Sequence, residues 1–248
     1  MAVVAGNWKM HMGPSETSEF FRELGVGEVG PDVELILFPP AISLAAAAQD
    51  PGRDPRISIG VQNIHWEDQG AFTGETSGRM AESAGATYAL VGHSERRHIF
   101  GETDDQVAQK VEAALRNHLV PVLCVGETLS ERREGLVDDV ILRQLQAALN
   151  VLRAQVGRFL VAYEPVWAIG TGETATPKDA SEAHSTLREA LRVAVGAQRA
   201  HEVPLLYGGS VKPDNAAELL AAPDVDGVLV GGASLDPVSF SRIAAAAG

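Results

Sequence analysis

Leu35-Ile36-Leu37-Phe38, inside the run Glu34–Phe38, sets four apolar residues in a row with nothing polar between them. A strand with one wet face alternates polar and apolar residues, whereas a strand buried on both faces does not, and parallel sheets covered by helices are where such strands occur. Short runs of the same kind recur at Val3–Ala5, Ile57–Val61, Tyr88–Gly92, Pro121–Val125, Phe159–Tyr163, Pro204–Tyr207 and Gly227–Val230, which makes eight with the first. Helix-like composition fills the intervals, at Ser15–Leu24, Ile42–Gln49, Arg79–Ala84, Asp104–Asn117, Leu136–Val156, Lys178–Gln198, Asn215–Ala221 and Pro237–Ala246. Strict alternation of strand and helix predicts an α/β protein, and eight such units favour closure into a parallel eight-stranded (β/α)8 barrel over an open sheet.

The 248 residues, 45% of them hydrophobic, suffice for one sizeable core. No Ser/Gly linker, low-complexity tract or charge block divides them, so a single domain over 1–248 is expected. The longest apolar tract, around Ala41–Ala48, is too short to span a bilayer, and Met1–Met10 carries no basic segment leading into an apolar stretch. One cysteine, Cys124, excludes an intrachain disulfide framework and fits a reducing, cytoplasmic location. With 33 acidic against 20 basic residues, the net charge of −13 argues against nucleic acid as a partner, because phosphate backbones are bound by clustered cations. An anionic substrate would have to be held against this field by backbone dipoles and a few placed cations.

Several motifs are absent or misplaced. Gly25-Val26-Gly27-Glu28-Val29-Gly30 matches the dinucleotide fingerprint in letters, yet it follows a helix and precedes a strand, the reverse of what that motif needs. No phosphate-loop motif occurs, and the seven histidines show no zinc-ligand spacing, so neither cofactor nor metal is expected. Cys124, within Val122-Leu123-Cys124-Val125, reads as a small buried hydrophobe.

The informative residues stand where strands end. Asn7 and Lys9 follow the first strand, His93 and Glu95 the fourth, Glu164 the sixth, Ser210 the seventh, and Gly231-Gly232 the eighth. In a barrel of this kind all of these converge on the C-terminal mouth, where the loops after the strands carry chemistry. Two of those loops, Gln62–Gly78 and Pro165–Pro177, are unusually long, and long ordered loops are commonly functional.

Around these positions the chain resembles the triosephosphate isomerase family. The resemblance is carried by Ala5-Gly6-Asn7-Trp8-Lys9-Met10, Gly70-Ala71-Phe72-Thr73-Gly74-Glu75, Val91-Gly92-His93-Ser94-Glu95-Arg96-Arg97, Tyr207-Gly208-Gly209-Ser210-Val211, Val230-Gly231-Gly232-Ala233-Ser234 and, most specifically, Ala162-Tyr163-Glu164-Pro165-Val166-Trp167-Ala168-Ile169-Gly170-Thr171-Gly172. It implies a TIM barrel, a homodimer and a cofactor-free isomerisation of dihydroxyacetone phosphate and D-glyceraldehyde 3-phosphate, with a catalytic set of Asn7, Lys9, His93 and Glu164. Two departures stand out: Glu173 occupies the end of the lid motif, where the family usually has Lys, and His11-Met12-Gly13-Pro14 replaces the commoner short polar turn near the subunit contact.

Such a reaction removes a carbon-bound proton, stabilises an ene-diolate and returns the proton to the neighbouring carbon. Glu164 is expected as the base and a neutral His93 as the donor to the oxyanion, its imidazolium disfavoured by a helix starting at Ser94. Lys9 is expected to bring a cation to the substrate oxygens with Asn7 holding it, and Glu95 to support the site from behind. Amides of Gly170, Ser210, Gly231 and Gly232 are expected to hold the phosphate. The loop Gly70–Glu75, with little apolar content to pack on its own barrel, is expected to contact a second copy. The competing readings are another phosphate-binding barrel isomerase, which would lack the block around Glu164, and an inactive barrel scaffold, against which Lys9, His93 and Glu164 speak.

Overall fold

The computed structural model describes residues 2–154, 157–169 and 175–248. Strands β1 (Ala2–Asn7), β2 (Val33–Phe38), β3 (Ile57–Val61), β4 (Tyr88–Val91), β5 (Val120–Val125), β6 (Leu160–Tyr163), β7 (Leu205–Tyr207) and β8 (Gly227–Val230) pair in sequence order and close into one barrel. Every pairing is parallel, including the closing one, in which Val3 stands beside Gly227 and Gly6 beside Val230.

The uninterrupted apolar runs are explained by two separate cores. Val3, Ala5, Ile36, Phe38, Leu90, Val122, Cys124, Leu160, Ala162 and Leu206 point inward and fill the barrel. Their neighbours Val4, Leu35, Leu37, Val91, Leu123 and Val161 point outward and pack beneath the helices. Successive side chains of a strand face opposite sides, so both registers must be apolar when both sides are buried.

Helices Pro14–Glu23, Leu44–Gln49, Gly78–Ser83, Asp104–Arg116, Val137–Ala154, Pro177–Val195, Ala216–Leu220 and Pro237–Ala245 follow the strands in turn. The structure differs from the sequence expectation at Lys178–Gln198, where the helix stops at Val195 and a separate one, Ala197–Glu202, begins. Gly196, at φ 87 and ψ 158, turns the chain out of the helix through a positive-φ extended backbone that is open essentially to glycine alone. Two further one-turn helices, Ser94–His98 and Leu129–Arg133, lie in loops of the C-terminal mouth. The second is nucleated by a capping box between Thr128 and Glu131.

Candidate active site

Strand β1 runs through to Asn7, so the chain turns at the mouth immediately afterwards. Lys9 sits there at φ 50, a positive φ that costs a non-glycine residue about 1–3 kcal/mol and persists only where surroundings hold it. Its amide donates to Asn7 Oδ1 at 3.0 Å, and its Nζ lies 2.6 Å from Glu95 Oε1.

Glu164 follows β6. Its own amide donates to the Val125 carbonyl at 2.7 Å, and the amide of Gly208 donates to the Tyr163 carbonyl at 2.7 Å, so the backbone of this residue is clamped between β5 and β7. The approach is close: a Cβ on Gly126 would stand 1.8 Å from the Glu164 carbonyl oxygen, and only glycine fits. The carboxylate is buried; Oε2 accepts from the Ser94 amide at 2.9 Å, and Oε1 lies 2.9 Å from His93 Nε2.

His93 caps the short helix Ser94–His98, its Nδ1 accepting from the Glu95 amide at 3.3 Å. An Nδ1 that accepts from an amide carries no proton, so in the neutral ring the hydrogen sits on Nε2 and points at Glu164. The tautomer follows from that partner.

Electrostatics of the pair differ from the expectation of a depressed imidazolium. Burial pushes the His93 imidazolium down and Lys9 adds to this, but the charge and hydrogen bond of Glu164 outweigh both and hold the ring above its ordinary value. Glu164 mirrors it: burial pushes the carboxyl up, while His93, the Ser94 amide and Lys9 bring it below the ordinary carboxylate range. The helix start is present as expected, yet one facing carboxylate outweighs it.

Asn7, Lys9, His93, Glu164, Ile169 and Gly231 line one cavity at the mouth, together with Gly208 and Gly209. Gly232 opens the short 3-10 helix Gly232–Leu235 and is exposed, and Ser210 is partly buried with its carbonyl accepting from Asn215 Nδ2 at 3.0 Å. Gly170, with the rest of the lid tip to Thr174, lies outside the described residues. Glu95 touches Lys9 through its carboxylate and His93 through its amide. Cys124 is fully buried, and its thiol is pushed up by burial and by the nearby Glu164 carboxylate, as a packing residue would be and a nucleophile would not.

Sequence reasoning missed Glu127. It is fully buried after β5, and its carboxylate accepts from the Tyr163 hydroxyl at 3.0 and 3.1 Å, from Trp167 Nε1 at 2.8 Å and from Arg132 Nη1 at 3.3 Å. Arg132 lies over the Trp167 ring at 4.7 Å and also pairs with Asp179. These contacts tie the first turn of the lid, Val166–Ala168, to the loop after β5. The signal was available, because Gly126-Glu127 is a strand-end polar residue like the others.

A carboxylate and an imidazole that face each other across a buried hydrogen bond stand at the C-terminal mouth of a (β/α)8 barrel, where enzymes of this fold carry their chemistry. A sequence model of the triosephosphate isomerase family matches residues 2–247. Triosephosphate isomerases of Solibacter usitatus (47% identical; 97% of this chain and 97% of the relative), Symbiobacterium thermophilum (48%; 99% and 96%) and Moorella thermoacetica (48%; 97% and 96%) are among its relatives. The chain belongs to the triosephosphate isomerase family. With membership comes the aldose–ketose isomerisation of triose phosphates, an intramolecular oxidoreduction.

Proposed function

We propose that Glu164 takes the proton from the substrate carbon and returns it to the neighbouring one, while His93 Nε2–H donates to the substrate oxygens. The observation that carries this reading is the tautomer: Nδ1 is occupied by the Glu95 amide, which leaves the one proton of the neutral ring on the nitrogen facing the cavity. A neutral donor is what a developing oxyanion needs, since it polarises without surrendering its proton at once.

The resting His93–Glu164 contact is displaced when substrate arrives between the two groups. Glu164 then loses the partner that made it a weak base and keeps the burial that makes it a stronger one. His93 likewise keeps the burial and the Glu95 amide that favour the neutral ring. Substrate binding thus tunes both groups in the direction the chemistry requires.

Lys9 carries the fixed cation, and the phosphate rests on amides of Gly170, Ser210, Gly231 and Gly232; dipoles hold the dianion despite the net charge of −13. The reaction runs without cofactor or metal, because base and electrophile are both side chains. The protein acts as one domain over 1–248, in the cytoplasm; among the described residues no helix is long and apolar enough to cross a membrane.

The working form is a homodimer. Large apolar side chains stand exposed in the loops after β1, β3 and β4, among them Met10 (93%), Phe72 (43%), Ile99 (72%) and Phe100 (67%), and Met10 and Phe100 flank a single cleft with Glu95 and Asn63. The loop expected to enter a partner is already shaped: Phe72 packs on the His65 ring at 4.1 Å, His65 on Trp66 at 4.2 Å, and the His65 amide donates to the Thr76 carbonyl at 2.8 Å. These contacts lie within the loop itself and leave the tip at Thr73 exposed.

A coupled assay on D-glyceraldehyde 3-phosphate in EDTA, run beside Glu164→Gln, tests the reading: activity that needs an added divalent ion, or that survives the substitution within a few-fold, overturns it.

A further inference from the structure

The structure assigns to Gln62 the task of positioning Lys9. Gln62 is the first residue beyond β3, and its Nε2 donates to two main-chain carbonyls, that of Lys9 at 2.9 Å and that of Phe38 at 2.8 Å. Both partners are acceptors only, so the nitrogen end of the amide must face them, and both of its hydrogens are used. The Phe38 carbonyl also accepts from the Trp8 amide at 3.1 Å. One side chain therefore joins the ends of β1, β2 and β3 at the mouth.

Lys9 is where such a clamp matters. At φ 50 its backbone is one that L-residues other than Asn and Asp seldom adopt, and left alone it would relax to negative φ, swinging its Cα–Cβ bond and carrying Nζ off the cavity. Asn7 Oδ1 holds the amide on one side of the residue and Gln62 holds the carbonyl on the other. The near replacements do not supply the same hold: Glu presents oxygen to oxygen, Asn is one methylene shorter, and an apolar residue donates nothing. Gln62 touches neither base nor electrophile. It acts through Lys9, and the inference rests on the proposed reading of Lys9 as the substrate's cation.

A double-mutant cycle in the full-length protein tests it, with Gln62→Met, Lys9→Ala and the double variant assayed at a concentration where sedimentation matches the original. Gln62→Met, which keeps length and loses both donors, lowers kcat/KM by roughly 10- to 100-fold, the scale of a misplaced catalytic group. In the Lys9→Ala background the same change costs less than roughly 2-fold, because the group it positions is gone. Gln62→Asn gives a smaller loss that vanishes in the same background. An equal loss with and without Lys9 would mean that Gln62 serves the fold generally, and an unchanged kcat/KM in Gln62→Met would mean that it positions nothing; either overturns the inference. A Lys9→Ala enzyme as active as the original overturns the reading of Lys9 instead, and this inference falls with it.

Discussion

His93 Nε2 and Glu164 Oε1 lie 2.9 Å apart, and each residue sets the protonation of the other. The proposed mechanism needs His93 neutral and Glu164 ionised, so the acidic limb of kcat/KM follows the ring, which Glu164 holds above its ordinary value, before it reaches the carboxyl, which His93 holds below its own. Replacing His93 by Gln passes the limb to Glu164, whose own titration moves up because the charge that lowers it is gone and the burial that raises it stays. In the converse variant, Glu164→Gln, the imidazole titration followed by nitrogen-15 NMR moves down, below its ordinary value of about 6.5. A ring that titrates unchanged in Glu164→Gln would show that the contact does not govern either group.

His184 contributes a second pH dependence, through stability. It is fully buried on helix Pro177–Val195, with Nδ1 at 2.9 Å from the Asp224 carbonyl, which fixes the proton on that nitrogen; Tyr163 faces the ring edge-on, and Arg188, Asp224 and Asp226 are the nearby charges. Burial pushes its pKa down to about 4, so between pH 6.5 and about 4 the unfolded chain binds a proton that the native protein refuses. The stability from this site is present above pH 6.5 and is lost as pH falls towards 4, by up to about 3 kcal/mol. Urea unfolding at fixed protein concentration, at pH 7 and pH 4.5, reads it. His184→Asn can still donate to the carbonyl but does not titrate, and it flattens the pH slope; matching slopes in the two proteins would assign the acid sensitivity elsewhere.

Much of this was legible in the sequence, and what was not has identifiable reasons. Runs such as Leu35–Phe38 read as strands because burial on two faces leaves no polar position, and the strand-end rule brought Asn7, Lys9, His93 and Glu164 to one mouth, where all four line the cavity. Gln62 was not readable, because its two partners are main-chain carbonyls, which have no residue identity for a sequence to display. Glu127 was passed over because its donors Tyr163 and Trp167 come from 36 and 40 residues away, beyond the reach of any local pattern. The contact that dominates His93 likewise spans the barrel, so the local helix start suggested the opposite pKa direction.

Thr73 tests the dimer. It stands at the exposed tip of a loop already stacked on His65 and Trp66, so a substitution there leaves the base of the loop intact. Thr73→Glu inserts an unpaired charge into the contact and should weaken association by at least ~10²-fold, for a cost of about 3 kcal/mol. Specific activity falls in parallel on dilution. Sedimentation that finds a fully active monomer at micromolar concentration, in the original protein or in Thr73→Glu, would sink the dimer as the working form.

The lid, Pro165 to Thr174, has a chemical purpose beyond excluding water. An ene-diolate with a phosphate on the adjacent carbon expels that phosphate, giving methylglyoxal, whenever the C–O bond aligns with the π system. Holding the phosphate near the ene-diol plane denies that alignment. Trp167 is where the lid is anchored: its Nε1 donates to Glu127 at 2.8 Å, and Arg132 covers its ring at 4.7 Å. Trp167→Phe keeps an aromatic side chain and removes the donor to a buried carboxylate; with a hydrogen bond to a charged group worth about 1.5–3 kcal/mol, the anchored position of the lid's first turn is disfavoured by roughly 10- to 100-fold. The rates of lid opening and closing change with it, and an unchanged kcat/KM in Trp167→Phe would show that this anchor does not govern the lid. Deleting Ala168–Thr171 removes the lid's hold on the phosphate, leaving Glu164 able to accept a proton while much of the intermediate is eliminated. Glu173→Lys changes charge beyond the anchor, so it alters opening and closing rates and leaves the product ratio alone. Quantifying phosphate and methylglyoxal against isomerised triose separates these cases, and a deletion that slows turnover without raising the eliminated fraction would show that the lid does not protect the intermediate.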